Sequence, residues 1–323
     1  MRVTIVIPTY NAEKFLEAAL DSCVAQTYKD IEVLVVNDGS TDGTERIIEG
    51  YSNKYPFIKT VFQENRGLVE ARKTGARNTK TEYMIFLDAD DFLEPNAVEC
   101  LVRGYETCQS DFIFSNFYTE KENGDLLFLS NNRFEEGFSP ENVLKSVLQK
   151  KVFPPIWGRL MKTSLFLNTD TPSELTIGED VAALLQIINQ KPSFSHVDAY
   201  TLHYIQRGGS MVNTRSTKVQ AQRLLLVNWV IDYVSKHFDY KGIEDDLSIF
   251  ILSELFTYLR DGGSYDNIGN IYNNMTNNKN LMSYTPYIGR KRCIMLYLFS
   301  KSKVLGNLYL YLYNTIRRFS YSR

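Results

Sequence analysis

The sequence is poor in histidine and cysteine, has no long apolar run and carries almost no net charge. Its 323 residues include three histidines, His196, His203 and His237, too few for a His-rich zinc site. The four cysteines, Cys23, Cys100, Cys108 and Cys293, show neither metal nor redox spacing and are expected as free thiols. Lys and Arg number 36 against 38 Asp and Glu, a formal charge of −2, which argues against a nucleic-acid partner bound by bulk electrostatics. The first apolar run, residues 3–7, stops at Pro8 and is too short for a signal peptide or a spanning helix, so the expected location is cytoplasmic. No G-x-G-x-x-G, Walker A loop or H-E-x-x-H is present, which disfavours a Rossmann dehydrogenase, a P-loop enzyme and a zincin.

What remains is an ordinary globular composition, 44% apolar and 23% charged, long enough for two domains or one domain with an extension. The first half alternates buried-strand and helix patterns. Residues 3–7, 31–36, 58–62, 83–87 and 112–114 are short apolar runs rich in β-branched and aromatic residues. Between them lie helical spacings: Leu16, Ala19, Leu20 and Cys23 behind an Asn11 cap, Ile47, Ile48 and Tyr51 after Asp42, and the stretches 68–80 and 95–108. This alternation predicts an α/β, Rossmann-like, doubly wound and mostly parallel sheet, with ligands bound beyond the carboxyl ends of its strands. Three polar clusters fall at such ends: Thr9-Tyr10-Asn11, Asn37-Asp38 and Asp88-Ala89-Asp90.

Taken singly, each cluster has an ordinary explanation. Asp88-Ala89-Asp90 suits magnesium or manganese on a diphosphate, or equally a solvated turn. Asp38 before Gly39-Ser40-Thr41-Asp42-Gly43 fits turn chemistry, or a carboxylate that accepts from a base or ribose. Arg66 and Arg72 are surface charges unless a diphosphate lies beside them. Gly178-Glu179-Asp180 opens a helix, where acids complement the macrodipole in any case.

Together the residues carry a resemblance. Val6-Ile7-Pro8-Thr9-Tyr10-Asn11, Gln26-Thr27-Tyr28 and Val36-Asn37-Asp38-Gly39-Ser40-Thr41-Asp42 resemble the opening of the family 2 glycosyltransferases. So do Asn65, Gly67-Leu68, Ala71-Arg72, Gly75, Glu82-Tyr83 and Phe86-Leu87-Asp88-Ala89-Asp90-Asp91, in the family's order over about residues 3–93, with weaker support to Ser210. The resemblance implies a GT-A fold over residues 1–214, with a donor half to about 118 and an acceptor half beyond it; over 215–323 it says little, and the apolar spacing there reads as a helical region. It implies inverting transfer from a nucleotide-diphospho-sugar, with a UDP-sugar favoured, to a glycan or lipid-linked hydroxyl, and a divalent metal, Mg or Mn. Residue by residue, it puts the nucleotide-sugar against Thr9, Tyr10, Asp38, Arg66, Arg72, Asp88 and Arg207, and the metal on Asp90 and His203. Asp180 matches the catalytic base, and Trp157 and Glu179 face the acceptor. Arg159, Asn37 and Lys73 stand where the family more often has Lys, Asp and Asn. The alternative is a non-catalytic nucleotide-sugar or glycan-binding module; the Glu179-Asp180 pair argues against it, because a binder needs no base.

Charge is distributed unevenly. From Ile288 onward there are eight basic residues (Arg290, Lys291, Arg292, Lys301, Lys303, Arg317, Arg318 and Arg323) and no acid, a net +8 against −10 on the first 287 residues. Met295, Leu298, Leu305, Leu308, Leu312 and Ile316 recur there at helical spacing beside several tyrosines. Such a tail either lies on an anionic membrane surface or packs as an ordinary helical bundle.

Overall fold

The computed structural model describes every residue except 131, 133, 135, 136, 208–215, 277–279 and 321–323, with side chains described outside 240, 273–276 and 314–320. Ser210 and Arg323, named above, lie outside the described residues, as do the side chains of Ile316, Arg317 and Arg318. Contacts divide the chain into two units, Met1–Val147 with Lys151–Ser210, and Leu148–Lys150 with Met211–Arg323.

In the first unit the elements run β1 (Val3–Thr9), α1 (Leu16–Val24), β2 (Ile31–Asp38), α2 (Thr44–Lys54), β3 (Ile58–Gln63), α3 (Leu68–Asn78), β4 (Tyr83–Phe86), β5 (Phe92–Leu93) and α4 (Ala97–Cys108). They continue with β6 (Phe112–Lys121), β7 (Leu126–Leu129), α5 (Pro140–Leu148), β8 (Leu160–Lys162), α6 (Thr163–Leu167), α7 (Glu179–Asn189) and β9 (Phe194–Gln206). Every residue of β1 and β4 is buried, as the unbroken apolar runs predict for strands covered on both faces. The sheet order is β3-β2-β1-β4-β8-β6-β9-β5, with β7 paired to β6.

The GT-A, doubly wound character resides in β1 to β4. β2 and β4 flank β1 in parallel, and β3 extends β2. Thr9 sits opposite Asn37 and Val6 opposite Phe86, so the three polar clusters do emerge at one end of the sheet. The second half is mixed. β8 enters antiparallel between β4 and β6, β9 runs parallel to β6, and β5 closes antiparallel on β9 with Phe92 opposite His203.

One local expectation fails. Asn11 does not cap α1, which starts at Leu16 behind Phe15 with no side-chain cap. Asn11 takes a left-handed φ of 47° and joins two loops instead. Its N–H donates to Ser40 Oγ at 3.0 Å, and its Oδ1 accepts from Thr41 N at 2.8 Å. Asn tolerates that backbone better than most side chains, so the β1–α1 and β2–α2 connections are stitched together at the strand tips.

The second unit is helical: α8 (Thr217–His237), α9 (Glu244–Arg260), α10 (Gly269–Thr276), α11 (Thr285–Ile288), α12 (Arg290–Lys301) and α13 (Lys303–Ser320). Its core contains a buried carboxylate, Glu254 on α9, which accepts from Arg223 at 2.7 Å and also pairs with Lys150. Burial alone would raise Glu254, but the two cations more than reverse this and hold it below its ordinary value.

Helix α3 lies close on the sheet at Gly75, where a Cβ would stand 2.3 Å from Val6 Cγ1 and 3.3 Å from Val36 Cγ2. Val6 is fully buried and stiff at χ1, so it cannot yield. Gly75→Ala is expected to destabilise the first unit by about 1–3 kcal/mol through overpacking, despite alanine's better helix propensity. Urea unfolding followed by a probe in this unit checks it, and unchanged or raised stability would contradict the close approach.

Candidate active site

The site is built around Arg72, which projects from α3 and is 2% exposed. Its Nη2 donates to Asp88 Oδ1 at 2.9 Å; its Nη1 donates to Asp180 Oδ1 at 2.7 Å and reaches Glu179 Oε1 at 3.4 Å. Asp88 comes from the loop after β4. Glu179 and Asp180 come from the first turn of α7, which follows Gly178 in a left-handed conformation, φ 82°. Burial would depress the guanidinium, but Asp180, Asp88 and Glu179 reverse that and raise it above its ordinary value. Arg72 was expected on a diphosphate. Instead it is an internal clamp whose charge is spent on three carboxylates from two elements.

One guanidinium cannot neutralise three acids. Burial pushes Asp180 up to about 7, against the pull of Arg72 and with Glu179 and Asp88 adding repulsion. Glu179 is also raised, first by burial. The two titrate as a pair, so the value near 7 belongs to the acid cluster as much as to Asp180. A carboxylate that changes charge near neutrality is what a general base requires.

The three acids after β4 have different environments. Asp88 is held by Arg72. Asp90 is 49% exposed; Arg207 Nη1 pairs with its Oδ2 at 2.7 Å, and Arg207 Nη2 donates to its carbonyl at 2.6 Å. Burial and Asp88 raise Asp90 despite Arg207. The Arg207 guanidinium lies 3.9 Å from the Phe15 ring centroid. Asp91 is 1% exposed, accepts from Ile205 N at 2.9 Å and is raised well above its usual value by burial and by Asp90 and Asp88. Its hydrogen bond holds β9 to the loop.

Several expected contacts are placed otherwise. Asp38 is buried with both oxygens engaged: Oδ1 accepts from Gln63 Nε2 at 2.6 Å and Arg66 N at 2.8 Å, and Oδ2 from Gly67 N at 2.8 Å. It fixes the approach to α3 rather than offering a free carboxylate to a base. Thr9 Oγ1 donates to the Ile7 carbonyl at 3.2 Å, whereas Tyr10 is 51% exposed at the strand tip and the Arg66 side chain is exposed. Trp157 is 7% exposed, stacked on Tyr204 with centroids 5.4 Å apart and edge-on to Phe117 at 4.9 Å, so its ring faces are already covered. Beside it Arg159 is 1% exposed and donates to the Ser115 carbonyl, and burial lowers it to about 9.

His203 does not join Asp90. Both ring nitrogens already face carboxylates, Nδ1 with Glu120 Oε1 at 2.9 Å and Nε2 with Glu94 Oε1 at 2.8 Å, and the ring stacks on Phe92 and Tyr118. The reason is register, because successive strand residues point to opposite faces. Tyr204 takes the other face, toward Trp157 and the acids. Burial and then Asp91, Asp90, Asp88 and Asp180 raise its phenol to about 12, so it stays a proton donor. Sequence reasoning missed Tyr204; the alternation along β9 was the signal, since His203 and Tyr204 cannot share a face.

With this geometry in place, similarity to known proteins becomes informative. The family model described as glycosyl transferase family 2 matches residues 4–167, half of the chain. The chain belongs to that family. It is 35% identical over 173 residues to the glycosyltransferase GlyA of Streptococcus pneumoniae, covering 51% of this chain and 25% of GlyA. It is 30% identical over 232 residues to the cholesterol galactosyltransferase of Borreliella burgdorferi, covering 67% of this chain and 63% of that protein. The matched part is thus less than two thirds of either relative. Residues 1–349 of S. aureus TarS, solved in complex with UDP-GlcNAc, superpose with a TM-score of 0.69 at 20% identity, covering 98% of this chain and 92% of that one. At that identity the family 2 member and TarS share the fold.

Removing Arg72 tests the clamp. Arg72→Met is expected to cost about 3–5 kcal/mol, because it strands buried carboxylates. A carboxyl raised in the fold favours the folded state below its unfolded pKa, and that contribution is lost as pH rises through the folded value. The deficit against wild type should therefore be smallest near pH 5, where Asp180 holds its proton, and grow through pH 7 as it ionises. Unfolding curves across that range decide; a pH-independent deficit would mean that the acids do not depend on Arg72.

Proposed function

We propose that the protein is an inverting glycosyltransferase that moves a sugar from a nucleotide-diphosphate donor to a hydroxyl of a glycan or lipid-linked acceptor, with a UDP-sugar as the favoured donor. The observation that carries this reading is a part-buried carboxyl, Asp180, clamped by Arg72 at 2.7 Å and poised near 7 at the sheet end where the strand-tip acids gather. In the proposed step the ionised Asp180 takes the acceptor hydroxyl proton as its oxygen attacks the anomeric carbon. The bond from that carbon to the diphosphate oxygen breaks, its electron pair leaves with the nucleotide diphosphate, and configuration inverts. Tyr204, held protonated, is a donor facing the same space. Arg207 supplies positive charge beside Asp90, where negative charge would develop on the leaving group.

A divalent cation fits this site. Among the described residues no group of three or more His, Cys, Asp and Glu forms a metal cage. Magnesium or manganese on a diphosphate needs only one or two protein carboxylates, and Asp90 is half exposed with Asp88 close enough to raise it. Asp90 would hold the ion, which when bound neutralises phosphate charge. The enzymatic reading is favoured over a pure binding module because a binder gains nothing from a buried acid near neutrality. TarS binding UDP-GlcNAc and the galactosyltransferase acting on a lipid support a UDP-sugar donor and a role in surface polysaccharide or glycolipid assembly. In this reading the enzyme works from the cytoplasmic side at an anionic membrane surface.

Screening nucleotide sugars for metal-dependent release of nucleotide diphosphate is the first test, and no release with any donor and acceptor pool would contradict the reading. Asp180→Asn should retain donor binding and lose roughly 10²–10⁴ in transfer. In the wild type, kcat/KM should rise with pH to a plateau above about 7, because the base must be ionised. Asp90→Ala is expected to abolish the gain in nucleotide-diphosphate affinity that magnesium or manganese confers, read by calorimetric titration with and without the ion; an undiminished metal effect removes Asp90 from that role.

A further inference from the structure

Among its described side chains, helix α13 packs by one side. Its inner side is marked by Gly306, where a Cβ would stand 2.4 Å from the Phe299 ring of α12, and by Tyr313, edge-on to Phe256 of α9 with centroids 6.0 Å apart. On the other side, Val304, Leu305, Leu308, Tyr311 and Leu312 are 74%, 47%, 56%, 69% and 50% exposed. At 100° per residue these five fall within an arc of roughly 120°, the apolar half of an amphipathic helix turned to the surface. A helix that merely completed a bundle would turn this arc inward. The two fates open to the tail are thus divided between two faces of one helix.

The charge carried by α12 and α13 is of one sign. No acid occurs from Ile288 to the last residue. Arg290 and Lys291 are exposed at the start of α12 and make no ion pair among the described residues, and Lys301 is exposed over the Tyr297 ring at 5.6 Å. Lys303 is the exception, pairing with Asp266 at 2.5 Å. No described helix is long and apolar enough to cross a membrane. An exposed apolar arc, a tyrosine within it and uncompensated cations on the neighbouring helix form the pattern that seats in the headgroup region of a bilayer rather than across it.

We propose that the outer face of α13, Val304 to Leu312, is an interfacial docking face for an anionic bilayer, assisted by the basic start of α12. This deepens the reading of a glycosyltransferase that works at a membrane, and names the part of the chain that makes the contact. A second copy of this chain would cover the apolar stripe equally well but would bring its own positive charges to it. Anionic headgroups complement both features.

The test uses the full chain and vesicles of phosphatidylcholine with or without phosphatidylglycerol. Wild type should pellet with the anionic vesicles at least about tenfold better than with neutral ones, and raised salt should weaken binding. Leu308→Glu with Leu312→Glu should lower binding by about tenfold or more, since it places charge on the buried face. Arg290→Glu with Lys291→Glu should remove the preference for anionic vesicles. Both variants should keep the wild-type circular dichroism and rate of nucleotide release, because neither alters the first unit. No binding by wild type, equal binding to both vesicle types, or unchanged binding by the leucine variant overturns the proposal. So does a wild-type dimer that the leucine variant dissolves without any vesicle binding, which assigns the stripe to a second copy. A chain that binds vesicles and releases no nucleotide diphosphate from any donor defeats the enzymatic reading and leaves the docking face standing.

Discussion

The site depends on one buried cation. Arg72 is the point at which α3, the loop after β4 and the first turn of α7 meet, and its two terminal nitrogens reach Asp88, Glu179 and Asp180. Without it, three carboxylates would be packed together at the sheet end with no counter-charge, at a cost of about 3–5 kcal/mol, a large share of a marginally stable fold. With it, one positive charge faces three acids, and the imbalance keeps Asp180 reluctant to ionise. The same clamp therefore supplies stability and sets a proton affinity. It can do so because α3 lies flush on β1 at Gly75, one turn along from Arg72, which leaves the guanidinium little freedom to follow a single partner.

Burial then divides the acids into distinct tasks. Asp91 is sealed and raised, and serves as a hydrogen-bonding peg for β9. Asp90, half exposed and paired with Arg207, remains open to a ligand. Asp180, part-buried and clamped, sits near 7. Carboxylates of the same chemistry acquire different proton affinities from depth and neighbours alone, the general route by which acid and base roles are assigned at one pH. Tyr204 completes the set as a phenol that burial, and then the surrounding negative charge, keep protonated.

Much of this was legible in the sequence. Apolar runs buried on both faces identify β1, β2 and β4 without ambiguity, and parallel pairing brings their polar tips together. That is why Thr9 to Asn11, Asn37-Asp38 and Asp88 to Asp90 converge. What escaped depends on contacts between distant residues. An arginine at helical spacing reads as a surface cation, and only the packing of α3 on the sheet and the arrival of α7 about a hundred residues later turn Arg72 inward. Asp38 reads as an available strand-tip acid, but the following loop folds back to occupy both its oxygens. The resemblance put His203 on the metal and passed over Tyr204, although strand alternation permits only one of them to face the acids. Antiparallel β5 and β8 are two and three residues long, too short to leave a periodic signal.

The central claim is that Arg72 and burial together hold Asp180 as a carboxyl that titrates near neutrality. Carboxyl-resolved titration, by infrared difference spectroscopy or by NMR of labelled aspartate, follows that proton directly in the folded protein without donor or acceptor. The account predicts an aspartate carboxyl in the first unit that loses its proton at about pH 7 and whose signal is absent from Asp180→Asn. A spectrum in which that assigned carboxyl is already fully ionised at pH 5 would contradict it.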